Sequence, residues 1–338
     1  MAELRWNPMI QDWVMIASHR QSRPQMPKDW CPFCPGSGKV PDHYEVYCYD
    51  NDFPALSQTP PPVDPVGTDL FRTQEAYGKC EVILYSPHHT QTVPELTPEH
   101  IRKLVDLWVE RFEALSQDER VKFVFIFENR GEVVGVTMPH PHGQIYAYPF
   151  LPKKLELELM AERDHYQKTG RCLFEDILQE EEKSALRIID QDEHFVLYLP
   201  FWSEYPYGVQ IMAKRPVGTI AELTTEERTS LGKMIRDAAG MLDALFDMKF
   251  PYMMCMYNAP VHLDEAQWEG LPFVAPGQPA FRFHIAFYPP MRSAEKIKYN
   301  ASSETGAWAH CNTTAPEQIA PQLREALERY RGDACKQA

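Results

Sequence analysis

The sequence predicts an α+β fold made by doubling one strand–helix–strand–strand unit. Two observations carry this. The stretch EVILYSPHHTQTVPELTPEHIRKLVDLWVERF, from Glu81, is matched by GVQIMAKRPVGTIAELTTEERTSLGKMIRDAAGMLDALF, from Gly208. Their Glu-Leu pairs begin at Glu95 and Glu222, 127 residues apart, an offset that marks an internal repeat. The likeness then continues: VKFVFIFENRG (121–131) is matched by FPYMMCMYNAP (250–260), and HGQIYAYP (142–149) by RFHIAFYP (282–289).

Each element has a local reason. EVILY and VQIMA are apolar and β-branched, as strands require. Thr97 and Thr224 stand just before apolar residues at three- and four-residue spacing, so both read as helix N-caps, with Glu99 and Glu227 placed as in a capping box. The apolar runs 121–131 and 250–260 read as buried strands, and the third strand of each unit ends at a proline. The two halves span 1–178 and 187–338. Between them, from about 153 to 186, KKLELELMAERDHYQ opens a charged, solvated connecting helix. PALSQTPPPVDPV (54–66) reads as an extended loop, and APEQIAPQLREALERY as a short amphipathic helix packed on the body.

Composition narrows the function. With 338 residues and 44% hydrophobic content, the chain can bury a large core. A formal charge of −14 argues against a general nucleic-acid binder, yet it allows a small anion held by local arginines. No apolar run is long enough to span a bilayer and MAELRWNPMIQDW is no signal peptide, so a cytoplasmic protein is expected. The eight cysteines are scattered apart from Cys31 and Cys34, which argues for a metal rather than a disulfide framework.

CPFC places two thiolates on one tetrahedral edge. A redox dithiol usually opens a helix, and WCPFCPGSGK is too rich in proline and glycine for one. There is no second C-x-x-C, so histidines would complete a zinc site: His88 or His89, with His140 or His142. In MPHPHGQIYAYP, His140, His142 and Gln144 alternate and would share one strand face. Gly143 would let something large come close to the backbone. A neutral imidazole there could attack phosphorus. A glutamine beside it can donate to a phosphoryl oxygen but cannot protonate a leaving group, which suits a transferase better than a hydrolase. Arg20 and Arg23 suit phosphates, while Asn51, Asp52 and Asn129 could serve a base or ribose. No P-loop and no G-x-G-x-x-G is present.

Taken together, NPMIQDWVMIASHRQSRP, CPFC, NDFPAL, SPHHTQTVPEL, FENRG, HPHGQ and FHIAFYPP resemble the galactose-1-phosphate uridylyltransferase family over nearly the whole chain. The resemblance implies duplicated histidine-triad-like units forming one largely antiparallel sheet, a half-barrel, flanked by helices. It implies His142 as the uridylylated nucleophile, Gln144 as donor to the uridylyl phosphoryl group, and a structural zinc on Cys31, Cys34, His89 and His140. It places Arg20, Arg23, Asn51, Asp52, Asn129, Gly135 and Thr137 at the UDP-sugar, and Lys298 and Glu304 at the sugar phosphate across a homodimer interface. The substrates implied are UDP-glucose, UDP-galactose and hexose 1-phosphates. Some members carry a second metal; the matching positions here are Glu158, Asn258, His284 and Ala286, so that site is expected to be empty. Two other readings stand beside this one. The first is an adenylyl-transferring relative acting on ADP-sugars or dinucleotides. The second is a zinc-stabilised nucleotide-binding module without catalysis.

Overall fold

The computed structural model describes residues 2–22, 30–264, 267, 269, 271 and 281–337. In the first half, β1 (Ala2–Asn7), β2 (Asp12–Ala17), β3 (Tyr47–Asp50), β4 (Thr73–Glu75) and β5 (Lys79–Leu84) precede helix α1 (Pro98–Leu115), followed by β6 (Phe123–Arg130) and β7 (His142–Tyr148). Helices α2 (Lys153–Thr169) and α3 (Leu173–Ser184) connect the halves. The second half runs β8 (Ile188–Gln191), β9 (Phe195–Tyr198), β10 (Gln210–Ala213), α4 (Thr225–Phe246), β11 (Tyr252–Tyr257) and β12 (His284–Tyr288). A hairpin, β13 (Met291–Ser293) and β14 (Lys296–Ile297), leads to the short α5 (Ser302–Ala307) and the terminal α6 (Pro316–Gln337).

Among the described residues, nine strands form one sheet in the order β3-β5-β7-β6-β11-β12-β10-β9-β8, every neighbouring pair antiparallel. The order β5-β7-β6 is mirrored by β11-β12-β10, so the repeats meet back to back at β6 and β11. Phe127 pairs with Cys255 along this seam. The α+β class and the single antiparallel sheet are as the sequence predicts. β1, β2 and β4 make a separate small sheet.

Alternation along the strands sends Ile83, Ile126, Ile145, Ile211, Met254 and Ile285 to one face, under α1, α4 and α6. Both predicted caps form: Thr97 Oγ1 accepts from the His100 N–H, and Thr224 Oγ1 from the Glu227 N–H, each at 3.2 Å. Only Glu227 returns the bond, to the Thr224 N–H at 2.8 Å. The first helix has His100 rather than an acid three residues after its cap, so the box expected with Glu99 does not form there. The repeated Glu-Leu has its own purpose. Glu95 accepts from the Thr92 N–H at 2.6 Å, and Glu222 from the Thr219 N–H at 2.9 Å, closing the turn ahead of each helix.

The connecting segment departs from expectation. It is two helices rather than one, and they are not merely solvated: Leu155, Leu159, Phe174 and Leu178 pack on Val196, Tyr198, Met212 and Tyr257. These helices cover the other sheet face over the second half.

Candidate active site and metal centre

Cys31 and Cys34 lie on a turn closed by the Cys34 N–H donating to the Cys31 carbonyl, 3.3 Å. Ligand atoms of Cys31, Cys34, His89 and His140 all fall within 4.8 Å of one another. His140 Nδ1 is 3.6 Å from Cys31 Sγ and 3.7 Å from Cys34 Sγ, and His89 Nδ1 is 3.5 Å from Cys34 Sγ. Zinc bond lengths and the tetrahedral angle give a nitrogen–sulfur edge of about 3.6 Å, so the donors fit such an ion. The orientation of His140 fits too. Its Nε2–H donates to the Ser86 carbonyl at 2.8 Å, which turns Nδ1 to the sulfurs. Burial pushes this imidazole down to about 4, keeping it in the neutral, ligating form. Burial and the adjacent Cys31 push the Cys34 thiol up to about 11, a penalty that a divalent cation between the sulfurs removes. His88 is exposed and outside the cluster.

The strand itself begins at His142, so His140 precedes the alternation rather than opening it. His140 is fully buried at the metal cluster, while His142, Gln144 and Tyr146 share the face of β7 turned from α1. His142 Nδ1 lies 2.8 Å from the His140 carbonyl oxygen. Only an N–H can bond to a carbonyl, so Nδ1 carries a proton, and in the neutral ring Nε2 carries the lone pair. Phe33, between the two cysteines, meets His140 and His142 edge-on with ring centres 6.0 and 5.9 Å away. The metal loop thus braces both rings.

Gly143 serves packing from behind. A Cβ there would fall on the Tyr85 hydroxyl and lie 2.9 Å from both Tyr85 Cζ and the Phe127 carbonyl oxygen. The large group that comes close to this glycine is a buried tyrosine.

Asn51 Nδ2 is 3.5 Å and Tyr146 Oη 3.4 Å from Gln144 Oε1, and Arg20 Nη1 is 3.3 Å from Tyr146 Oη. Asp52 accepts from Tyr49 Oη at 2.7 Å and faces Lys39 Nζ at 3.6 Å. Asn129 and Thr137 line a cavity of about 270 Å³ together with Met138, His140, His142 and Lys249. Gly135 turns the chain between them with φ +83°. Arg23 lies outside the described residues. Lys298 and Glu304 do not line this cavity; they face each other at 3.5 Å in the second half, with Lys298 Nζ 5.1 Å from the Tyr205 ring centre. Sequence reasoning missed Phe33, Tyr146 and Lys249. An aromatic inside C-x-x-C was the signal for Phe33, and the alternation His142, Gln144, Tyr146 the signal for Tyr146.

The four positions matched to a second metal do not fit one. Asn258 Oδ1 is committed to the Ile220 N–H at 2.8 Å, and Ala286 offers no donor. Lys154 brings its ammonium into this region, 3.0 Å from Tyr257 Oη, 2.6 Å from Tyr288 Oη and 3.9 Å from the Glu158 carboxylate. His284 mirrors His142 in bonding through Nδ1 to the carbonyl two residues upstream, but its ring is buried against Tyr257 with centres 4.8 Å apart.

Comparison with known proteins places this arrangement. Family models described as galactose-1-phosphate uridyl transferase, N-terminal and C-terminal domain, match residues 1–152 and 158–326. The chain belongs to the galactose-1-phosphate uridylyltransferase family. It is 40% identical to the galactose-1-phosphate uridylyltransferase of Thermotoga maritima, covering 96% of this chain and 98% of that one. It is 31% identical to that of Haemophilus influenzae, covering 96% and 94%. A solved uridylyltransferase superposes with a TM-score of 0.85 at 27% identity, over 97% of this chain and 99% of that one. An Arabidopsis thaliana ADP-glucose phosphorylase shares the fold, with a TM-score of 0.71 at 23% identity over 96% and 98%. Family membership makes the chain an enzyme, a nucleotidyltransferase, and sets aside the non-catalytic module. No described helix is long and apolar enough to cross a membrane.

Proposed function

We propose that the chain moves a uridylyl group between hexose 1-phosphates through a covalent histidine. The observation that carries this is the fixed tautomer of His142, with Nδ1 bonded to the His140 carbonyl and the ring on the cavity wall. In the first step Nε2 attacks the α-phosphorus of UDP-glucose. The P–N bond forms, the P–O bond to the β-phosphate breaks, and glucose 1-phosphate leaves. In the second step a phosphate oxygen of galactose 1-phosphate attacks the same phosphorus, breaks the P–N bond and departs as UDP-galactose. The Nδ1 proton stays in place throughout, and its bond to the carbonyl strengthens as the ring gains positive charge. The Gln144 amide donates to a non-bridging oxygen. Asn129, Gly135 and Thr137 serve the sugar-phosphate side, and Asp52 the nucleotide.

The Cys31, Cys34, His89 and His140 cluster is assigned to structural zinc on the softness and geometry of its donors. Four protein ligands fill a tetrahedral shell, so the ion would cross-link the His140 segment rather than act on substrate. Lys298 and Glu304 lie apart from the cavity of their own chain, which supports a homodimer in which they reach the cavity of a second copy.

Incubation with UDP-glucose radiolabelled in its uridylyl group should leave one acid-labile, base-stable label per chain. Galactose 1-phosphate should then remove that label as UDP-galactose. Free UMP released at the turnover rate from unlabelled protein would refute the transferase. Faster labelling by ADP-glucose than by UDP-glucose would make it an adenylyl transferase.

A further inference from the structure

We infer that Tyr146 and Asn51 are positioning residues that lock the Gln144 amide with its NH₂ toward the substrate. This rests on the proposed role of Gln144 and deepens it. Each chain of hydrogen bonds starts from a group that can only donate. The Phe53 backbone N–H can only donate, and it donates to Asn51 Oδ1 at 2.9 Å. Asn51 must therefore present its Nδ2–H₂ to Gln144, 3.5 Å from Oε1. On the other side, the Arg20 guanidinium can only donate, and it faces Tyr146 Oη at 3.3 Å. The hydroxyl accepts there and turns its own proton to Gln144 Oε1, 3.4 Å away.

Two independent chains of donors thus converge on one carbonyl oxygen and use both of its lone pairs. Flipping the amide would set its NH₂ against the Asn51 donor and give up the bond that Tyr146 donates, so Nε2 is held facing away from them. The guanidinium polarises the tyrosine hydroxyl and strengthens the bond it gives. The Tyr146 ring is itself immobilised: it is 7% exposed and meets Phe127 edge-on at 5.1 Å. Arg20 and Asn51, read from sequence as substrate contacts, act here through Gln144. The amide that meets the developing phosphoryl charge is thereby oriented before substrate binds, which is the condition for electrostatic catalysis without reorganisation.

The test is a double-mutant cycle on the rate of uridylyl-histidine formation, measured in a single turnover with radiolabelled UDP-glucose. Q144A should slow labelling on its own; a Q144A enzyme as fast as wild type would overturn the underlying role of Gln144 rather than its positioning. Y146F should slow labelling by about three- to tenfold, the share of one neutral hydrogen bond, with the UDP-glucose half-saturation concentration unchanged within about twofold. In the Q144A background, Y146F should cost nothing further, because there is no amide left to orient. N51A should behave the same way, and it keeps the cycle decisive if Y146F lowers the melting temperature. Equal fold-losses in the presence and absence of Gln144 would overturn the inference, and so would full wild-type labelling rates in both Y146F and N51A.

Discussion

Replacing Gly143 by alanine tests how the nucleophile strand is held. The new methyl would collide with the Tyr85 hydroxyl and come within 2.9 Å of Tyr85 Cζ and the Phe127 carbonyl oxygen. Neither neighbour can give way easily. Tyr85 is fully buried with its ring 5.7 Å from Trp108, and the carbonyl belongs to β6, held in register with β7 at Phe127–Gln144. Overpacking of this kind costs about 1–3 kcal/mol, and the backbone contact puts Gly143→Ala near the upper figure. The structure also specifies a rescue. Tyr85 Oη is buried with no hydrogen-bond partner among the described residues, so Tyr85→Phe should be neutral or stabilising by up to ~1 kcal/mol. In the double variant the worst collision disappears while the 2.9 Å contacts remain, so roughly half of the loss should return. Denaturant unfolding of the four proteins measures this directly. Transfer activity should follow, because a strand displaced by ~1 Å carries His142 and Gln144 with it and costs on the order of 100-fold. A Gly143→Ala protein as stable as wild type would refute the reasoning, as would a Tyr85→Phe change that gives no recovery.

The other predictions concern the nucleophile, the metal and a buried acid. His142→Gly should fold with an unchanged melting temperature and accept no covalent label; labelling at another residue would displace the nucleophile. Cys31→Ser should lose the metal and several degrees of melting temperature. Elemental analysis of the wild type should give one equivalent per chain, since Lys154 takes up the second position; two equivalents would contradict that. Glu128 is buried beneath the Tyr252 hydroxyl, and burial raises its carboxyl to about 7. The folded state therefore holds this proton more tightly than the unfolded chain. Its contribution is complete below pH ~4.5 and is lost as pH rises through about 7, to at most ~3 kcal/mol. Glu128→Gln should flatten stability between those limits, read from denaturant midpoints; a variant that keeps the wild-type slope would place the titration elsewhere.

Local pattern made much of the fold legible. The repeated strands, the capping threonines and the half-chain offset are properties of short segments, and short segments pair and cap much as their residues prefer. The same holds for C-x-x-C, whose two sulfurs are brought together by one turn. What the connecting segment does was not legible: its charged residues describe a solvated helix, and only the second half's open sheet face explains why Leu155, Leu159, Phe174 and Leu178 are buried.

The order of residues along the chain was enough to name side chains able to do chemistry: a histidine beside a non-acidic partner, and two thiols with histidines available to complete a metal site. The tertiary structure alone decided their states. Which nitrogen of His142 carries the proton depends on where the His140 carbonyl points. Which way Gln144 faces depends on Asn51 and Tyr146, and what crowds Gly143 depends on a tyrosine from the neighbouring strand β5's end. The physical reason is that a residue's identity sets what it can donate, accept or ligate. The direction of each bond is set by neighbours distant in sequence, which only the folded sheet brings within 3.5 Å.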